Sequence, residues 1–373
     1  MVQLVRRKTK VIKIGDVRIG GGNPIAIQSM AKTKTTDIEK TIRQIKQLED
    51  VGCEIVRLAI KDSSDAKALR KIKQKIGIPL VADIHFNWRL ALESIDNGAD
   101  KIRLNPANIY KKNEIKEIVS ALKLAKIPLR IGLNSGSVND LNSKRLNLPD
   151  KLVANALQYI KIVEKFKFYD IVVSLKASNV LDTIVAYRKM ARLCDYPFHL
   201  GITATGLPQS GQIKSAIGIG TLLVEGIGDT VRVSLTSNPE KEVEAAKEIL
   251  QSLGLRRFRH EIISCPTCGR CEVDLVKIAR ELEKKLSTIP AKNIGGSAKH
   301  YGGNCKLSTV NSQPFRVALM GCVVNGPGEA KEADIGIAAG RKSGLLFKKG
   351  KVISKVAESQ FVDTLIEQIL AIS

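Results

Sequence analysis

A (β/α)8 barrel, the TIM barrel, followed by a small α+β domain is the α/β fold that this 373-residue sequence predicts. Three observations carry the prediction. Short β-branched runs alternate with lysine-rich amphipathic stretches as far as residue 258, which is the strand–helix alternation of a parallel sheet. Eight such units fill roughly 250 residues, the size at which a parallel sheet closes on itself. Polar residues recur at the carboxyl ends of successive strands, which a closed barrel gathers on one face and an open sheet with one crevice does not. The barrel is therefore expected over 1–258 and the second domain over 259–373.

Gly20-Gly21-Gly22-Asn23 stands before a strand where a dinucleotide loop would follow one, so it reads as a tight turn. Strands are expected at 24–30, 54–59, 79–84, 101–104, 128–133, 170–175, 197–202 and 230–235. Helices separate them. In 37–51, Ile38, Ile42, Ile45 and Leu48 recur at helical spacing, as do Val243, Ala246 and Leu250 in 239–253. Arg57 lies on the second strand, Asp83 and His85 close the third, and Arg103 and Asn105 the fourth. Arg130 and Asn134 lie on the fifth, Lys176 ends the sixth, and Arg232 and Ser234 belong to the eighth. Arg57, Arg103, Arg130, Lys176 and Arg232 thus converge. A buried cation is costly without a counter-charge, and a phosphorylated ligand would supply one. Ion pairing with acids on neighbouring strands explains any one of these cations more readily than all of them together.

Beyond Arg256-Arg257-Phe258-Arg259-His260 the character changes. A helix is expected at 274–286, a long Gly-, Ser-, Asn- and Lys-rich loop at 292–314, strands at 316–320 and 334–339, and a terminal helix at 362–372. Cys265-Pro266-Thr267-Cys268 has the spacing of a pair that grips one metal centre, and Cys322, in a glycine-bounded turn, offers a third thiol. On spacing alone Cys271 or Cys305 could supply a fourth. Cys53 and Cys194 sit in apolar contexts and read as core.

Composition removes several function classes. Seven cysteines, an odd number, argue against a disulfide framework. The formal charge of +23 raises the question of nucleic acid, yet the lysines are spread along the chain and only 4% of residues are aromatic, so no nucleic-acid partner is expected. No apolar run reaches the roughly 18–20 residues of a membrane span, and no apolar segment backs the charged N-terminus as in a secretory signal. A cytoplasmic protein that binds no membrane is expected.

Taken together, these motifs resemble the iron–sulfur 4-hydroxy-3-methylbut-2-enyl diphosphate synthases of the non-mevalonate isoprenoid pathway. The resemblance spans nearly the whole chain. It is carried by Ser264-Cys265-Pro266-Thr267-Cys268, by Gly321-Cys322-Val323-Val324-Asn325-Gly326-Pro327-Gly328-Glu329-Ala330, by Lys214-Ser215-Ala216-Ile217-Gly218 and by the strand ends above. With no inserted domain, the chain looks like the compact two-domain bacterial form. The resemblance implies a [4Fe-4S] cluster on Cys265, Cys268 and Cys322, with Glu329 as the fourth ligand. It implies two-electron ring opening and dehydration of 2-C-methyl-D-erythritol 2,4-cyclodiphosphate, electrons from flavodoxin or ferredoxin, and a homodimer; family members cap one chain's barrel with the other's cluster domain, and the short linker near residue 258 fits self-capping and exchange alike. Glu329, His85 and Asp83 are then catalytic, and Arg57, Arg103, Asn105, Arg130, Asn134, Lys176, Arg232 and Ser234 bind substrate. Two segments depart from the family pattern: Thr203-Ala204-Thr205-Gly206 stands where Thr-Glu-Ala-Gly is usual, and Ala204 cannot titrate, while the long 292–314 loop between the second and third cluster cysteines carries a spare Cys305. The competing readings are a pterin-binding barrel methyltransferase and a zinc-containing nucleic-acid-binding protein. The first would not need the paired cysteines and the Gly-Pro-Gly-Glu motif; the second rests on the charge and the Cys ligands.

Overall fold

The structure is a computed structural model that describes residues 4–138, 146–289, 314–322, 324 and 326–372, without the side chains of 137, 327, 329, 332 and 372. The chain divides into two compact units, the first running to Leu255 and the second beginning at Arg256.

The first unit opens with a hairpin, β1 (Ile12–Ile14) and β2 (Val17–Ile19), that sequence reasoning does not single out. Its inward residues Ile12, Ile14, Val17 and Ile19 pack with Ala26, Ile55, Val81 and Val172 near the amino ends of barrel strands, closing that mouth. The strands follow as β3 (Ala26–Met30), β4 (Ile55–Ile60), β5 (Leu80–Ile84), β6 (Lys101–Leu104), β7 (Leu129–Asn134), β8 (Ile171–Lys176), β9 (His199–Leu200) and β10 (Thr230–Val231). All their pairings are parallel, in the order β8-β7-β6-β5-β4-β3-β10-β9. A parallel bridge between Val173 and Phe198 joins the two ends of that order and closes the barrel. Each strand falls within or beside its expected segment. β9 and β10 are shorter than expected because pairing beyond them thins to single bonds, such as Arg232 N–H to Leu200 O at 3.0 Å.

Helices α1 (Ile38–Asp50), α2 (Ser63–Lys73), α3 (Arg89–Asp96), α4 (Lys112–Ala125), α5 (Leu148–Lys165), α6 (Val180–Ala191), α7 (Pro208–Val224) and α8 (Pro239–Ser252) alternate with the strands. Local chemistry fixes their starts. Asp37 caps α1 by accepting the Lys40 N–H, Asn179 caps α6, and Pro208 and Pro239 open α7 and α8 where a missing N–H does no harm. The face of α1 carrying Ile42, Ile45 and Leu48 is buried, as its periodicity requires.

In the second unit one sheet has the order β11 (Glu261–Ser264), β12 (Arg316–Met320), β13 (Ile335–Gly340), β14 (Ser343–Lys348) and β15 (Lys351–Ala357). The first three strands run parallel, and the last two complete an antiparallel hairpin with β13. Helices α9 (Leu275–Leu286), α10 (Gly326–Glu329) and α11 (Phe361–Ile372) complete it. Leu282 and Leu286 of α9 and Phe361, Leu365 and Ile369 of α11 share one core with Val317, Ile335 and Ile337 of the sheet.

Candidate active site

Parallel register decides which side chains meet inside the barrel. Residues paired across parallel strands point to the same face, and the ladders set Asp83 beside Arg103 and Arg103 beside Arg130. They likewise set Met30 beside Arg57, and Asn134 beside Lys176. Arg57, Asp83, Arg103, Arg130, Asn134 and Lys176, with His85, Gly132, Ser174, Thr203, Arg232 and Ser234, line one cavity of about 180 Å³.

Asp83 is its hub. Oδ1 accepts from Arg103 Nη1 at 3.0 Å, and Oδ2 lies 3.5 Å from Arg57 Nε. Arg103 Nη2 also donates to the Gly132 carbonyl at 2.8 Å, and Arg57 Nη2 meets the Met30 thioether, a weak acceptor, at 2.8 Å. Arg232 Nη2 lies 3.5 Å from Glu242 Oε2, and the buried Glu242 carboxylate also receives Lys32 Nζ and the Leu235 N–H, each at 3.0 Å. Arg130 is 1% exposed, and its Nε and Nη1 have no partner among the described residues.

Charge and burial are in conflict throughout this cavity. Burial would raise the Asp83 pKa, yet Arg57, Arg103 and Arg130 hold it well below the usual carboxylate range. Burial pulls Lys176 well below its ordinary value, and Arg232, Arg57, Arg130 and Arg103 pull it further. Burial does the same to Arg130, and Arg57 and Arg103 add to it. Two carboxylates, Asp83 and Glu242, cannot neutralise Arg57, Arg103, Arg130, Lys176 and Arg232. An entering anion would relieve that conflict.

The cysteines belong to the second unit. Cys265 directly follows β11, and Cys322 follows β12 after Gly321; these strands are parallel neighbours with Ser264 beside Leu319, so both cysteines leave the sheet at the same end. Cys265, Cys268 and Cys322, with Pro266, Thr267, Arg270, Met320 and Gly326, line a cavity of about 150 Å³. The Gly321 N–H points at Cys265 Sγ at 3.3 Å, and hydrogen bonds from Arg270 hold the Cys268 thiol below its usual pKa. Cys271 lies outside this lining. Its thiol donates to Val273 O at 3.2 Å and packs so closely on Gly321 that a Cβ there would stand 2.5 Å from the sulfur. Among the described residues no three His, Cys, Asp or Glu side chains are drawn together tightly enough for a single metal ion. The donor set suits a larger iron–sulfur group: the three thiols are free and face one cavity, and N–H donors reach two of the sulfurs. Glu329 closes α10, which begins at the lining residue Gly326; its carboxylate, like Cys305, lies outside the description.

Of the residues singled out from sequence, Asn105 alone among the barrel set is not in the cavity lining; its Oδ1 accepts the Ala107 N–H at 3.2 Å and builds the turn after β6. Thr203 reaches the cavity, whereas Ala204 is exposed with φ +52°. Gly132 and Ser174 line the cavity without having been singled out. The signal that finds them is strand period two, since they alternate with Arg130 and Asn134 and with Lys176. Glu242 is found by no such rule, because it reaches the cavity cations from the first turn of α8.

Residues 9–247 match the GcpE TIM-barrel domain, and residues 261–371 match the GcpE protein C-terminal domain. The chain is 51% identical to a 4-hydroxy-3-methylbut-2-en-1-yl diphosphate synthase (flavodoxin) of Caldanaerobacter subterraneus subsp. tengcongensis, over 98% of this chain and 97% of that protein. It is 50% identical to the enzyme of the same name from Fusobacterium nucleatum subsp. nucleatum, over 97% of this chain and 96% of that one. Among solved structures, a dihydropteroate synthase from Stenotrophomonas maltophilia aligns with a TM-score of 0.50 at 9% identity, over 66% of this chain and 98% of its own. At that identity the likeness speaks for the barrel fold alone.

Proposed function

The chain belongs to the GcpE family, and on that premise we propose that it catalyses reductive ring opening and dehydration of 2-C-methyl-D-erythritol 2,4-cyclodiphosphate to 4-hydroxy-3-methylbut-2-enyl diphosphate. The observation that carries this reading is the excess of buried cations over carboxylates in the barrel cavity. A cyclic diphosphate supplies the missing negative charge in two adjacent groups. Arg57, Arg103, Arg130, Lys176 and Arg232 hold those groups, and each charge-assisted hydrogen bond is worth about 1.5–3 kcal/mol. Asn134 and Ser234 orient the ligand from the rim of the same cavity. Asp83 stays ionised and fixes Arg57 and Arg103, so its part in catalysis is to hold the arginines. His85 lines the cavity, and an imidazole can both accept and donate a proton. With Ala204 unable to titrate, that duty falls to His85, with the Thr203 hydroxyl in the same lining.

Cys265, Cys268 and Cys322 would hold a [4Fe-4S] cluster, with Glu329 as the fourth ligand, and a bound cluster would relay electrons one at a time from the donor to the substrate. The names of the relatives support flavodoxin as the electron donor. The enzyme works in the cytoplasm, and no helix among the described residues is long and apolar enough to cross a membrane. It works as a homodimer. Supporting that reading, the segments after the carboxyl ends of barrel strands expose Phe86 (77%), Tyr110 (60%), Leu181 (70%) and Leu207 (66%).

Anaerobic purification followed by iron and sulfide analysis tests the proposal. Broad visible absorption with about four irons and four sulfides per chain, and turnover with reduced flavodoxin, are expected. Cys265→Ser, Cys268→Ser and Cys322→Ser should each lose the cluster, whereas Cys271→Ser should keep both cluster and activity. A colourless protein holding one tetrahedral zinc would sink the reading.

A further inference from the structure

We propose that Gly132 is a positioning residue: its missing side chain sets where the Arg103 guanidinium lies, and thereby how tightly the cavity grips an anion. The inference rests on the functional reading above, which gives Arg103 its ligand.

Gly132 is in the interior of β7, Leu129–Asn134, where every residue but the last is buried. Glycine is a poor choice there, because it packs nothing and loses more chain freedom on folding than any other residue. Its backbone does not call for it either, since Gly132 is not among the residues with positive φ. Arg103 is what calls for it. A Cβ at position 132 would stand 2.7 Å from Arg103 Nε, 3.4 Å from Nη2 and 3.5 Å from Cζ, and these are the three nearest atoms it would meet. The same guanidinium donates to Gly132 O at 2.8 Å and to Asp83 Oδ1 at 3.0 Å, so it cannot yield without breaking a contact that places it.

Gly201 makes the contrast. A Cβ there would stand 2.5 Å from Lys176 Nζ but also 2.6 Å from the Arg232 carbonyl, so that glycine serves the backbone as well. At position 132 the three nearest atoms all belong to the Arg103 guanidinium.

The test compares holoenzymes carrying Gly132→Ala, Arg103→Ala and both. Arg103→Ala should raise KM about tenfold or more. Gly132→Ala should also raise KM about tenfold, with a smaller change in kcat. Its cluster spectrum should be unaltered, and its unfolding temperature at or below that of the parent, since the displaced guanidinium gives up a buried contact; in the Arg103→Ala background that loss should vanish. In the Arg103→Ala background, Gly132→Ala should move KM by less than about twofold, because the group it would displace is gone. A parental KM for Gly132→Ala overturns the proposal, and so does an equal KM increase in both backgrounds. If Gly132→Ala does not fold while the double variant does, the obstruction by Arg103 is upheld; if neither folds, the strand itself needs the glycine and the proposal falls. If Arg103→Ala itself keeps the parental KM, the anion-binding reading fails first.

Discussion

Lys176 puts the electrostatics of the cavity within reach of measurement. Burial, and then Arg232, Arg57, Arg130 and Arg103, set its pKa well below the ordinary lysine value. A dianionic ligand brought against it must push that value back up. Between the lowered and the restored pKa, binding takes up a proton. Substrate affinity should therefore fall as pH rises through the free-enzyme pKa of Lys176, below the ordinary 10.5. Calorimetric titration at a series of pH values up to 10.5, repeated in buffers of different ionisation enthalpy, should show up to one proton taken up per site, and Lys176→Met should abolish the uptake. Uptake that persists in Lys176→Met would assign the proton to another group. Asp83 behaves oppositely. Held below the usual carboxylate range, it keeps its contribution to stability above the unfolded pKa and loses it only as pH falls through its own lowered value.

The elements differ in how plainly the sequence states them. Repeated β-branched runs made the barrel strands legible, and their polar ends named most of the cavity, because a closed parallel barrel brings every carboxyl end to one face. The hairpin of Ile12–Ile14 and Val17–Ile19 was not legible, since three-residue strands carry too little periodicity to stand out, although Ile12, Ile14, Val17 and Ile19 alternate with exposed residues. β15 hid for another reason: as an edge strand it is exposed at every residue but Val356, so no buried face marks it. Glu242 was hidden because its role is tertiary, reaching Arg232 and Lys32 from a helix. The hairpin carries a prediction about stability alone. Ile14 and Ile19 are fully buried against the amino ends of the strands, away from the lining of the cavity. Ile14→Ala should lower the unfolding free energy by about 2–5 kcal/mol in a denaturant titration while leaving KM unchanged. A parental unfolding curve would show that the mouth of the barrel needs no plug.

At the scale of the whole molecule, two properties pull against each other. The chain carries a formal charge of +23, so two copies repel unless something short-ranged outweighs it. The exposed Phe86, Tyr110, Leu181 and Leu207, in the segments after the carboxyl ends of the barrel strands, offer apolar area for a second copy to cover. Covering one leucine contributes about 1.5–3 kcal/mol, a factor of roughly ten to a hundred in Kd. Salt weakens the repulsion over its Debye length, about 10 Å at 0.1 M, and leaves the apolar term intact. Sedimentation at micromolar concentration should thus find a dimer whose Kd falls as salt rises from 0.05 to roughly 0.5 M, opposite to the trend of an ion-paired interface. Leu181→Ser combined with Leu207→Ser should raise Kd at least about tenfold without changing the cluster spectrum, because the substituted residues lie in the barrel unit and the cysteines in the other. A monomer at every salt concentration would remove the dimer, and a dimer loosened by salt would move its interface from the apolar rim to charged pairs elsewhere on the surface.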